Sequence, residues 1–231
     1  MPDNHCYGSL QVCRLRVAAL TETGAPDSGA TNGYISDALI MATLDLQVDE
    51  GTEHLQKNGC GDICSRFIDC DKVKGVNVAL ELCQLDSELI GLLTGAQVFT
   101  DVASGDAIGI ELPDLADDCP NGVCLELWTL AWDGSSQATP PSLSGSIAYW
   151  HFVIPKYRPQ PSAFTLEDGI LAFPLKGPGE SNPNITVNGP FDDWDTDVVD
   201  QGGIRNSLGW FLDANLPATT CGYVNVPSAA S

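Results

Sequence analysis

Alternation of apolar and polar residues with a period of two runs through most of this chain, and it narrows the choice of fold more than any other feature. Successive side chains on a strand point to opposite faces, so such runs read as strands that are buried on at least one side. From Gln11 to Leu20, the residues Cys13, Leu15, Val17 and Ala19 share one face, with Arg14 and Arg16 on the other. Between Tyr34 and Val48, a second set (Ala38, Ile40, Ala42, Leu44, Leu46, Val48) alternates with Asp37, Leu39, Met41, Thr43, Asp45 and Gln47. That run is far longer than the usual five or six residues, and length of this kind suits a barrel or an extended sheet. Gly75 to Cys83 is a third clear case: Val76, Val78, Leu80 and Leu82 face inward, while Asn77 and Glu81 face outward.

The period changes once. Asp86-Ser-Glu-Leu-Ile-Gly-Leu-Leu-Thr-Gly95 predicts a short helix, with Asp86 as its N-cap, Leu89, Leu92 and Leu93 as an apolar stripe, and Gly95 as its stop. Strands are predicted again over Ala107–Leu112, Val123–Trp132, Ser146–Ile154 and Phe164–Leu175. A long polar loop should separate Trp132 from Ser146, and Gly177 to Pro190 should be irregular. The count is one helix and seven or eight strands. The fold class is therefore mainly β: a β-sandwich or partial barrel with one short flanking α-helix. Gly (23) and Pro (15) fall between the apolar runs, as turns require, and no linker divides the chain. Residues 1–195 read as one β domain with long loops at about 49–74 and 133–145. Residues 196–231 read as a C-terminal extension, weakly structured or packing on its own or a neighbouring subunit.

Charge limits the partners. Asp and Glu number 31 against 10 Lys and Arg, a net charge of −21. A nucleic-acid groove needs clustered cations, and an anionic membrane surface attracts basic segments, so neither is an expected partner. No basic start followed by an apolar core marks a signal peptide, and no run reaches the length of a membrane span, which predicts folding in the cytoplasm. The Asn184-Ile-Thr186 sequon carries no meaning there.

A search for chemistry finds little. There are nine cysteines, and an odd number in a cytoplasmic product argues against a complete disulfide framework. Cys13 and Cys83 sit in strand patterns as small core residues. Cys60-x3-Cys64-x5-Cys70, with Cys83 as a fourth ligand, lacks the paired short knuckles of zinc sites, so reduced or locally bridged thiols are expected instead of metal. A Cys119–Cys124 bridge becomes feasible only in a particle that leaves the cell. The histidines are His5, His54 and His151. The last lies in the strand Tyr-Trp-His-Phe-Val, where a packed, hydrogen-bonded ring is expected. Asp193-x-Asp195-x-Asp197 resembles the opening of a calcium loop, but Val198 stands where glycine is needed and no closing Glu follows, so a solvated acidic loop is expected. No nucleophile elbow, phosphate loop or dinucleotide fingerprint is present. Five tryptophans are explained by core packing. The reading assigns no catalytic, cofactor-binding or metal residue, and no cofactor.

The order of elements resembles one family. Cys13-Arg-Leu-Arg-Val17, the turn-rich Gly24-Ala-Pro-Asp-Ser-Gly29, the long strand Tyr34–Val48 and Asp49-Glu-Gly51 come first. Lys57-Asn-Gly-Cys-Gly-Asp-Ile-Cys64, Val76–Cys83 and the capped helix to Gly95 follow. Val123-Cys-Leu-Glu-Leu-Trp128, Ala148-Tyr-Trp-His-Phe-Val-Ile-Pro155, Phe164-Thr-Leu-Glu-Asp-Gly169 and Gly189-Pro-Phe-Asp-Asp-Trp194 complete the series. In order and spacing this resembles the major tail (tail tube) proteins of siphophages, particularly those infecting actinobacteria. The resemblance implies a non-enzymatic virion protein: six copies form a ring, and the rings stack into a hollow tube whose inner wall is a barrel of strands from all subunits. The implied partners are further copies of the chain, the tape-measure protein, and the tail terminator and distal tail proteins. DNA passes through the lumen without specific binding. An acidic lumen would repel phosphates, and the loops around Asn58 and Gln137 are the expected ring-to-ring contacts. Competing readings are a tail terminator, a capsid decoration protein, a β-sandwich carbohydrate-binding module and a β-sandwich hydrolase.

Overall fold

The computed structural model describes residues 7–112, 120–133, 149–163, 172–217 and 221–228. Strand β1 (Tyr7–Ala19) opens the chain, and it pairs antiparallel with β2 (Gly29–Ser36) and with β9 (Val123–Asp133). The long run from Tyr34 does not continue as one strand. It breaks at Asp37-Ala38, where the Ser36 hydroxyl accepts from the Ala38 amide and Cys83 N–H donates to the Ala38 carbonyl. β3 (Leu39–Asp49) then leaves β1 and β2 for β6 (Lys72–Leu82). Alternation cannot reveal such a change of partner, because both segments keep the same period.

Residues 49–74, expected as a loop, form a projecting arm. The β3–β6 ladder runs out to Asp49↔Lys72, and a second hairpin, β4 (Glu53–Lys57) with β5 (Ile63–Ile68), extends it. The end turn closes through Asn58 N–H to the Asp62 carbonyl, with Asn58 Oδ1 accepting from the Cys60 and Asp62 amides. Gly51 sits at the junction: a Cβ there would lie 1.7 Å from the Asp69 carbonyl oxygen.

Helix α1 (Ser87–Thr94) follows the sequence reading closely. Asp86 Oδ1 accepts from Glu88 N (3.1 Å) and Leu89 N (3.2 Å), and Gly95, at φ 73°, ends the helix in the left-handed region. Its buried apolar side chains are Leu89, Ile90 and Leu93, so Ile90 joins the expected stripe, and Leu92 packs half-buried against the same core. A small separate hairpin, β7 (Gln97–Thr100) with β8 (Ala107–Glu111), comes next.

The remaining strands are β10 (Tyr149–Tyr157), β11 (Gln160–Pro161), β12 (Phe173–Glu180), β13 (Gly209–Asp213) and β14 (Gly222–Val226). A five-residue helix, α2 (Thr196–Asp200), lies between β12 and β13, which makes two helices among the described residues in place of the one expected. The main sheet is antiparallel, in the order β14-β2-β1-β9-β10-β12-β6-β3, with β11 on β12 and β13 on β10. The loop expected at 133–145 and the first part of the Phe164–Leu175 strand fall largely outside the described residues. Where Gly177 was expected to open an irregular stretch, β12 runs on through Gly177-Pro178-Gly179. Glycine permits this: a Cβ at Gly177 would meet the Arg158 carbonyl oxygen at 2.1 Å, and one at Gly179 would meet Val76 at 2.6 Å.

The sheet folds on itself at β10. Residues Tyr149–Val153 pair with β13, whereas only Lys156 and Tyr157 pair with β12, and the β9 ladder shifts register between Ile154 and Tyr157. β12, β6 and β3 thereby turn back over β1 and β9, and β3 returns into contact with β1. One core fills the space between, built from Leu15, Val17, Leu80, Leu82, Leu125 and Tyr157 among others. The protein is mainly β and sandwich-like, and no ladder among the described residues closes it into a barrel. A second, smaller core lies on the outer face of β1, β9 and β10. There Ala18, Cys124 and Val153 meet Ile185 and Trp194, with Phe191 and Phe211 packed against them. Residues 196–231 contribute to the chain's own sheet through β13 and through β14, which pairs with β2.

Candidate functional site

The outer face of β1–β9–β10 holds a buried charge cluster. Arg16 and Glu126 are neighbours across the β1–β9 ladder, and His151 sits on β10 beside Trp128. Residues 181–213 cross over them as a strap. Beneath it Arg16 is 4%, Glu126 0% and His151 1% exposed. Arg16 Nε donates to Glu126 Oε2 at 2.6 Å, and its two terminal nitrogens grip Asp193 as a fork at 2.6 and 2.9 Å. Trp194 Nε1 donates to Glu126 Oε1 at 2.7 Å. The guanidinium also lies 4.0 Å from the Phe191 ring centroid.

His151 stands between two carboxylates. Its Nε2 is 3.3 Å from Glu126 Oε1, and its Nδ1 is 3.3 Å from Asp213 Oδ2. Both nitrogens lie off the directions of an aligned hydrogen bond, so these contacts are chiefly electrostatic. The ring stacks on Trp128 at 3.9 Å, with Phe211 at 4.5 Å on its other flank. Burial alone would push the Glu126 carboxyl up, but Arg16 and His151 outweigh it and hold it down at about 2. Burial would likewise lower His151, yet Asp213 and Glu126 leave it raised above the ordinary 6.5. Asp213 is lowered: its own desolvation is outweighed by His151, the Asn215 amide and Trp128. Arg16, Glu126 and His151 are thus paired and closed off from solvent beneath the strap.

The other conspicuous surface is the arm. Every residue of β4 and β5 is exposed, and Leu55, Ile63, Phe67 and Ile68 are exposed along with Val48 and Val73 at its base. Phe67 is 61% exposed. Four of the chain's ten Lys and Arg (Lys57, Arg66, Lys72, Lys74) lie here. Arg66 pairs with Glu53, Lys74 with Asp49, and His54 with Asp69. Among the described residues the sheet's two end strands, β3 and β14, have no partner on their outer edges, and β3 exposes Ile40, Met41 and Leu46.

The residues singled out in the sequence land as follows. Cys60, Cys64 and Cys70 are exposed free thiols on the arm, and Cys83 is exposed instead of being a core residue. Cys124 is buried, and burial beside Glu126 holds its thiol protonated; Cys119 lies outside the described residues. Among the described residues no three His, Cys, Asp or Glu side chains gather into a metal site. The acidic Asp193–Asp197 segment is not simply solvated. Asp193 clamps Arg16, and Asp195 caps α2 by accepting from Asp197 N. His151 is buried, as expected, but as part of a charged cluster. Sequence reasoning placed Arg16 only on the face opposite Leu15 and Val17, without a partner, and gave Glu126 and Asp213 no role. Cys124, Trp128 and Val153 on that same face were the signal that a second layer covers it.

A cavity of about 460 Å³ on the β3–β6–β12 face is lined by Thr43, Asp45, Asn77, Ala79, Lys176 and Pro178, and it holds no converging carboxylate pair. No helix among the described residues is long and apolar enough to cross a membrane. No known family model matches the chain, and no curated protein matches it either.

Proposed function

We propose that this chain is a structural, non-enzymatic virion subunit that polymerises as stacked, closed rings into the hollow tail tube of a siphophage. Six copies per ring is the number the family resemblance implies. The observation that carries the reading is the exposed apolar arm on a sheet whose two end strands have no outer partner among the described residues. Such edges are an aggregation hazard on a monomer, and pairing them between neighbours removes the hazard. An arm that buries nothing in its own subunit, yet exposes Leu55, Ile63 and Phe67, is suited to lie against another copy. Rotationally closed head-to-tail contacts give rings, and stacking with an offset gives a helical tube.

Charge fits the same work. At −21 per copy, a ring repels DNA that must slide through it, and repulsion between copies opposes assembly. Salt screens such charges over about 8 Å at physiological strength, so polymerisation should be faster and tubes longer as salt rises. In this reading the tape-measure, terminator and distal tail proteins are the partners, DNA is cargo that is not bound specifically, and assembly takes place in the host cytoplasm.

Negative-stain electron microscopy across a series of protein and salt concentrations tests the proposal. Hollow tubes or stacked six-fold rings support it. Single rings that never stack favour a terminator. Monomers at every condition count against the tube and favour a decoration protein or a carbohydrate-binding module.

A further inference from the structure

We propose that His151 is the pin of a pH-sensitive strap: its charged ring holds β13 against β10, and loss of that charge releases β13 and uncovers the edge of β10. This goes beyond the tube reading and does not depend on it.

The strap is fixed at both ends. At its start, Asn182 Nδ2 donates to the carbonyls of Gly24 (2.7 Å) and Pro155 (3.2 Å). In its middle, Ile185 is buried, Asp193 holds the Arg16 fork and Trp194 bonds Glu126. At its end, β13 forms a five-residue ladder with Tyr149–Val153 of β10. Its outer side is open, and Trp210 and Leu212 are exposed. Phe211 packs that ladder against His151 and Trp194, and its side-chain polar anchor to the sheet is Asp213 against His151 and Trp128.

The groups around His151 come from three neighbouring strands: β1 supplies Arg16, β9 supplies Glu126 and Trp128, and β13 supplies Asp213 and Phe211. The strap adds Asp193 and Trp194 one step further out, bonded to Arg16 and Glu126, and Cys124 lies in the same layer further along β9. Arg16 stays charged, and Asp213 and Glu126, both held below their ordinary values, stay ionised throughout the neutral and alkaline range. Cys124 is held as the thiol. His151 is therefore the member of the cluster that changes charge between mildly acidic and alkaline pH.

Its deprotonation falls unevenly on its neighbours. Glu126 keeps Arg16 at 2.6 Å and the Trp194 N–H at 2.7 Å. Asp213 keeps a longer contact to Trp128 Nε1, at 3.4 Å, and a bond from the Asn215 amide in its own turn. Asp213 is also near water, with its side chain 17% exposed, so it can turn outward. The weakened contact is thus the one that pins β13. The folded state raises the His151 pKa, so the contribution is full below about 6.5 and is lost as pH rises through the higher folded value. For each unit by which the folded value exceeds that of the open form, the closed population should fall about tenfold.

Amide hydrogen exchange of the full chain, read by mass spectrometry from pH 6 to 9.5 and corrected for the intrinsic base-catalysed rate, tests this. Light scattering confirms that the assembly state is constant. The expected result is a stepwise loss of protection over residues 209–213 as pH rises, while residues 15–18 of β1 and 78–82 of β6 keep theirs. The step should vanish in both His151→Gln and Asp213→Asn. No step in the parent protein, a step that survives in either variant, or simultaneous loss of protection in β1 and β6 would overturn the inference. If His151→Gln does not fold, Asp213→Asn alone decides.

Discussion

Glu126→Gln removes one negative charge from the middle of the buried cluster and changes almost nothing in size. Glu126 is 0% exposed and is engaged by Arg16, Trp194 and His151. Glutamine retains an oxygen for one of these partners, but its NH2 group then faces a donor wherever it turns. Two routes give the magnitude. Breaking one side of a buried ion pair costs about 3–5 kcal/mol, because the partner's charge is left uncompensated. Independently, the carboxyl is held from 4.5 down to about 2, which at about 1.4 kcal/mol per unit is about 3 kcal/mol at neutral pH. The two agree, and the loss is a large share of the roughly 5–15 kcal/mol typical of a domain. Urea unfolding at pH 7, followed by tryptophan fluorescence and far-ultraviolet circular dichroism, measures it. With a slope of about 3 kcal/mol per molar, the midpoint should fall by 1 M or more. A midpoint within about 0.3 M of the parent, at unchanged slope, would refute the view that these charges are mutually dependent. The double variant Arg16→Met, Glu126→Leu should lose clearly less than the sum of its single changes.

The sign of the acid response follows from the same groups: Glu126 is lowered in the fold, so its contribution is complete above about 4.5 and disappears as pH falls toward about 2, and the lowered Asp213 adds a loss of the same sign on acidification, which an acid titration of unfolding midpoints will record. Asp86→Ala removes the α1 cap and the partner of the Tyr34 hydroxyl, so it should cost about 1–2 kcal/mol in the urea assay, and adding Tyr34→Phe should then cost little more. Gly177→Ala places a methyl group 2.1 Å from the Arg158 carbonyl and should cost about 3 kcal/mol; a near-neutral result would mean the close crossing of β12 is wrong. Replacing residues 50–71 by Asn-Gly joins the facing pair Asp49 and Lys72 with a two-residue turn. Stability should change by no more than about 1 kcal/mol while tube formation disappears, and tubes of normal yield would remove the arm from the assembly contact.

What could be read from the sequence was what is local. β6 shows its inward Val76, Val78, Leu80 and Leu82 as a plain alternation, and α1 announces both ends through Asp86 and Gly95. The break at Asp37-Ala38 was hidden because the chain changes partner without changing period. β12 through Gly177-Pro178-Gly179 was hidden because residues that normally end strands here allow a close crossing. β13 and β14 are five residues each, too short for periodicity to separate them from loop. The charge cluster is the least legible of all: Arg16, Glu126, His151 and Asp213 come from four strands, His151 reads only as a packed ring, and nothing in the pattern of any one strand names its charged partners on the others. Only the covering strap, itself rich in Gly, Pro and Asp, makes that face an interior.

The order of pairing also bears on how the chain comes into being. β1 waits for β9, more than a hundred residues downstream, and β2 gains its outer neighbour only when β14 arrives. Contacts of such sequence separation form late and slowly. During synthesis, the arm and β6 can zip as a local hairpin long before the β1–β9 ladder exists, whereas the edge of β2 stays bare until β14 has left the ribosome. A nascent chain is therefore most exposed to mispairing in its final stretch, and β14 works as a late closure on a sheet otherwise already built.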